Sequence, residues 1–68
     1  MATGGKVRDM IKLLEENGFI WAKGEGKGSH RKYINPKTGK QTEVPFHSTS
    51  HDIGIGLWKK ILREAGLL

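Results

Sequence analysis

The 68-residue chain contains no cysteine, only two prolines, two tryptophans, two phenylalanines and one tyrosine, and seven acids against twelve lysines and arginines. Each shortage excludes something. Without cysteine, neither a disulfide nor a thiolate-held metal can staple the fold. No apolar run approaches the roughly 20 residues that a membrane-spanning helix requires. The opening Met1-Ala2-Thr3-Gly4-Gly5 has neither the positive nor the apolar region of a secretory signal, so a soluble, cytoplasmic protein without membrane association is expected. At this length one domain over residues 1–68 is expected, and such a chain buries only about 60% of its unfolded surface. Its core has to be assembled from Phe19, Trp21, Trp58 and the aliphatic side chains.

The shortage of acid is local. Between Lys23 and Lys40 lie six basic residues (Lys23, Lys27, Arg31, Lys32, Lys37 and Lys40) and one acid, Glu25; the remainder has six of each, so the formal net charge of +5 resides in this segment. Charge of one sign gathered in one stretch points to a polyanionic partner.

Val7, Met10, Ile11 and Leu14 recur on one helical face, with Asp9, Lys12, Glu15 and Glu16 on the other, which predicts a first helix over roughly Gly5 to Asn17. Thr3 is its candidate N-cap, and Asn17-Gly18 its stop. Phe19 to Ala22 reads as a first strand and Ser29 to Ile34 as a second, with His30, Lys32 and Ile34 on one face and Ser29, Arg31 and Tyr33 on the other. Asn35-Pro36-Lys37-Thr38-Gly39 is a turn, and Gln41 to Val44 a third strand that Pro45 ends or confines to an edge. His47 to Asp52 reads as a polar loop. Leu57, Trp58, Ile61, Leu62 and Ala65 form the stripe of a second helix, which starts near Ile53 or Ile55 and closes at Gly66. The order is helix, three strands, helix: an α+β domain in which a three-stranded antiparallel sheet packs on two helices.

His30 is the main candidate for chemistry. An imidazole accepts or donates a proton near neutrality, its ordinary pKa being about 6.5. RNA supplies its own nucleophile, the 2′-hydroxyl, so cleavage needs alignment, a proton carrier and positive charge around the phosphate rather than a metal. Gly28 permits close approach of backbone to phosphate, Ser29 offers a hydroxyl, and Lys23, Lys27, Arg31 and Lys32 supply charge. The same residues, taken alone, also fit a half-exposed strand histidine among solubilising charges. The glycines at 24, 26 and 28 precede a strand rather than a helix and lack a closing Gly-Lys-Ser/Thr, so they read as a flexible connection and not as a nucleotide-binding loop. His47 and His51 have no evident third metal ligand, and no metal or other cofactor is expected; His47 reads as a surface loop histidine, with a minor role at the edge of the phosphate site as the alternative. Trp21 and Trp58 could stack on bases, but their apolar settings favour core packing.

Four segments in this order resemble the HicA toxin family, the YcfA-like messenger-RNA interferases. They are Lys6-Val7 through Leu13-Leu14 to Asn17-Gly18-Phe19; Gly28-Ser29-His30; Val44-Pro45-Phe46-His47; and Gly56 with Ile61 to Leu67. The resemblance covers nearly the whole chain. It implies a double-stranded-RNA-binding-domain-like fold, a metal-independent endoribonuclease toxin acting on mRNA with His30 as the catalytic residue, and a HicB-like antitoxin that covers the active site. Two positions depart from the family pattern: Arg31 stands where many members have a second histidine, and Leu57 where a threonine commonly follows the glycine of the second helix. The rival reading from another class is a non-catalytic RNA-binding module with the same fold and basic face.

Overall fold

The computed structural model describes residues 3–26 and 28–68. The expected helix, three strands and helix are all present: α1 (Val7–Glu16), β2 (Ile20–Trp21), β3 (His30–Ile34), β4 (Gln41–Pro45) and α2 (Ile55–Glu64). Two short strands that periodicity did not reveal, β1 (Thr3–Lys6) and β5 (Asp52–Gly54), immediately precede the two helices and pair with each other antiparallel. The main sheet runs β2-β3-β4, antiparallel throughout.

The β1–β5 pair changes how both helices begin. Thr3 is drawn into β1, and the N-cap of α1 is Lys6, whose backbone N–H donates to the Asp9 carboxylate at 3.0 Å. The first free N–H groups of α1 donate into the segment expected to be a plain loop: Val7 to the His51 carbonyl at 2.9 Å and Arg8 to that of Thr49 at 3.1 Å. Lys6 completes the clasp with its ammonium 3.0 Å from the Asp52 carboxylate. Gly4 has a steric reason to be glycine, because a Cβ there would overlap the Trp58 side chain. The second helix starts at Ile55, with Gly54 as its N-cap.

Both helices end by the same device. Gly18 and Gly66 adopt φ of 90° and 74°, the left-handed region that glycine enters without steric cost. At α1, Gly18 donates to the Glu15 carbonyl and Phe19 to that of Leu14; at α2, Gly66 donates to Arg63 and Leu67 to Leu62. These crossed bonds satisfy carbonyls that a helix end otherwise leaves open.

The core gathers Val7, Met10 and Leu14 of α1, Phe19, Tyr33 and Val44 of the sheet, Ile53, and Ile61 and Ala65 of α2. Tyr33, not a tryptophan, is its largest fully buried side chain. Trp58 is half-buried against this cluster, while Trp21 is 39% exposed, contrary to the expectation of core packing. Leu57, expected in the buried stripe of α2, is likewise exposed. The turn after β3 is held by buried Asn35, whose side chain donates to the Asn17 carbonyl at 3.1 Å and accepts from the Lys37 N–H at 2.9 Å. It ties the β3–β4 hairpin to the end of α1 and so sets the register on which the site depends.

Candidate active site

The hairpin register pairs His30 with Pro45, Arg31 with Val44, Lys32 with Glu43 and Tyr33 with Thr42. Directly paired residues share a sheet face and neighbours along a strand alternate. Tyr33, Thr42 and Val44 therefore turn to the helices, and His30, Lys32 and Glu43 turn to the opposite, open face. The separation of His30 and Lys32 from Arg31 and Tyr33 was legible in the sequence, and the structure has it.

His30 begins β3, its side chain half-exposed, with Nδ1 3.8 Å from Glu43 Oε1. The carboxylate lies on the Nδ1 side of the ring, which leaves Nε2 facing away from it. Glu43 was not singled out in the sequence. The signal was available in the hairpin register: the turn after Ile34 sets Glu43 opposite Lys32, diagonal to His30. Replacing Glu43 with Gln keeps the shape and removes the charge. If His30 carries the chemistry, turnover should fall roughly tenfold, as when a carboxylate that orients a functional histidine is lost, with RNA affinity undiminished. Single-turnover rates and equilibrium binding measured side by side check this.

Ser29, on the approach to β3, is tied to the segment after β4. Its carbonyl accepts from the Phe46 N–H at 2.7 Å, and its hydroxyl lies 3.4 Å from His47 Nε2. His47 thus lies beside the Gly-Ser-His segment, and its ring meets that of His51 edge to face at 5.9 Å. Among the described residues no group of three or more His, Asp or Glu side chains comes together that could hold a metal ion.

The glycine-rich connection is less free than its composition suggests. Gly26 lies on the start of β3, and a Cβ there would overlap the His30 carbonyl oxygen. Gly28 has φ of 58° and open space around it, leaving its backbone accessible beside His30. Lys32 reaches back to Glu25, Nζ to Oε1 3.5 Å, and Lys23 lies with Nζ 5.3 Å from the centre of the Trp21 ring. Lys27 falls outside the described residues. Arg31 is held between two rings, its guanidinium carbon 3.8 Å from the centre of Trp21 and 3.6 Å from that of Phe46. This explains the exposure of Trp21: β2 is only two residues long, and at its end the ring is covered by cations rather than by a helix.

Two concavities meet at His30. A groove of about 510 Å³ lies along the β4 edge of the sheet, where α2 comes alongside, and is bordered by His30, Lys32, Glu43, Leu57, Lys60 and Glu64. A hollow of about 310 Å³ lies on the other side, lined by the three loop glycines, Ser29, Trp21, Arg31 and Phe46 as well as His30. Among the described residues His30 is the one that borders both. The exposed Leu57 is accounted for by the groove it lines.

A family model described as "HicA toxin of bacterial toxin-antitoxin" matches residues 7–67. The chain belongs to the HicA toxin family. As a HicA-family member it is a toxin of a bacterial toxin–antitoxin system, and this implies an antitoxin partner. No curated protein and no solved structure matches the chain. The matched stretch of this HicA-family toxin includes both helices, the three-stranded sheet and the Gly28-Ser29-His30 segment, and none of its described helices is long and apolar enough to cross a membrane.

Proposed function

We propose that this toxin is a metal-independent endoribonuclease that cuts mRNA, halts translation and growth, and is silenced by a HicB-like antitoxin covering His30. The observation that carries the reading is the position of His30 at the meeting of two concavities, within the segment that holds the entire net positive charge. A strand laid from the groove into the hollow would bring one phosphate to the imidazole and its flanking nucleotides to either side.

In the proposed reaction the 2′-hydroxyl oxygen attacks the adjacent phosphorus, the bond from phosphorus to the 5′ oxygen breaks, and one proton passes from the 2′-hydroxyl to the departing oxygen. His30 carries a proton in this exchange, at one end or the other. Lys23, Lys27 and Lys32 offset the charge of the phosphates, Gly28 and Ser29 shape the backbone approach, and Arg31 binds the RNA beside His30. General acid–base action by one residue contributes about 10²- to 10⁴-fold. A site with one imidazole at the phosphate is therefore slow beside ribonucleases that use two.

The purified toxin, free of its antitoxin, is expected to cut single-stranded RNA at the same rate with and without EDTA. RNA left intact would overturn the nuclease reading, and inhibition by EDTA its metal independence.

A further inference from the structure

The hollow beside His30 has features that phosphate binding alone does not require. The Arg31 guanidinium is packed against two rings, those of Trp21 and Phe46, which hold it in place and leave its N–H groups to a ligand. Among the described residues Arg31 makes no ion pair with a carboxylate. Its donors are fixed in one plane, a rigid fork that a lysine could not reproduce. The Trp21 ring beside it is 39% exposed. Among the described lining residues, Gly24, Gly26 and Gly28 contribute backbone alone. At about 310 Å³ it is at the small end of ligand cavities and suits one flat ring system.

We propose that Trp21, Arg31 and Phe46 form a guanine-reading subsite for a nucleotide flanking the phosphate at His30, an inference that rests on the nuclease reading for its position along the RNA. Guanine presents O6 and N7 side by side, the pattern that an arginine fork bonds in one plane. A base bonded in that plane continues the arginine's own stack and lies against the uncovered rim of Trp21. A tetrahedral phosphate would take the two hydrogen bonds and gain nothing from the rings. Adenine offers N7 beside an N–H₂ donor, which opposes the fork, and the pyrimidines lack the paired acceptors. The subsite selects which phosphate reaches His30; it takes no part in proton transfer.

Two measurements separate this inference from the nuclease reading. In a Trp58→Phe, His30→Ala protein Trp21 is the sole indole, and its fluorescence is titrated with GMP, AMP, CMP, UMP and inorganic phosphate. GMP is expected to quench saturably with an affinity roughly tenfold or more above AMP, and Arg31→Lys to erase the difference. Trp21→Leu, followed by calorimetry, should weaken GMP as well if Arg31→Lys misfolds. Equal affinity for all four nucleotides, or none beyond that of inorganic phosphate, would overturn the subsite. The second measurement uses RNA oligonucleotides that differ at one base. The toxin should cut those with guanine at one fixed flanking position fastest, and Arg31→Lys should level the rates. Selective GMP binding without cleavage of any RNA would sustain the subsite and sink the nuclease; cleavage indifferent to every base would do the reverse.

Discussion

Replacing His30 with alanine is expected to slow RNA cleavage by about 10²- to 10⁴-fold and to abolish growth arrest, with RNA binding largely retained. The imidazole is half-exposed at the start of β3, outside the core formed by Tyr33, Val44 and the helices, so its loss removes little packing. The pairing of His30 with Pro45 is a backbone relation that alanine preserves. Binding should persist because most of the affinity of such a site for RNA comes from phosphate contacts by lysine and arginine. The variant also removes the neighbour of Glu43, a change that acts on affinity only weakly at a partly solvated pair. Cleavage rates and binding isotherms on the same oligonucleotide check the separation. Undiminished cleavage by the alanine variant would remove His30 from the chemistry, and a parallel loss of both properties would make it a binding residue, as in a non-catalytic RNA module.

A second large effect is expected from a residue with no functional group. Gly26→Ala should reduce cleavage by tenfold or more while shifting the melting temperature little. The added methyl would occupy the place of the His30 carbonyl oxygen, and that obstacle is backbone within a paired strand, not the movable end of a side chain. The loop, rather than the strand, has to give way. Lifting it displaces Gly28 and Ser29, and with them the contacts of Ser29 with Phe46 and His47. Displacements of about 1 Å at a reacting centre can cost roughly 10²-fold in rate. Stability should change less, because the residues from Lys23 to Gly26 contribute nothing to the buried cluster. Thermal unfolding alongside cleavage kinetics tests the pair of expectations; wild-type activity in the alanine variant would show that the loop needs no close contact with β3.

Much of the architecture was legible in the sequence, and the reasons differ from element to element. The spacing of Val7, Met10 and Leu14 is a local signal, as are the left-handed glycines at 18 and 66 and the Asn35 turn, so α1, both helix ends and the β3–β4 hairpin could be read directly. Thr3-Gly4-Gly5-Lys6 and Asp52-Ile53-Gly54 carry no alternation of apolar and polar residues; they are strands only because each finds the other across nearly the whole chain. The exposure of Trp21 depends on how far the helices extend over the sheet, which no short window of sequence records. The basic segment and His30 were visible as composition and motif. Glu43 follows from the hairpin register; the seat of Gly26 on β3 and the enclosure of Arg31 by two rings do not, because each depends on contacts between segments that only the fold brings together.

The measurement that bears most directly on the central claim is the chemistry of the ends left after cleavage. With a single scissile site in a short RNA, mass spectrometry should find a 2′,3′-cyclic phosphate on the upstream fragment and a free 5′-hydroxyl on the downstream one. These are the products of attack by the RNA's own 2′-oxygen with His30 moving the proton. A 3′-hydroxyl together with a 5′-phosphate would mean that water was the nucleophile, and would contradict the account.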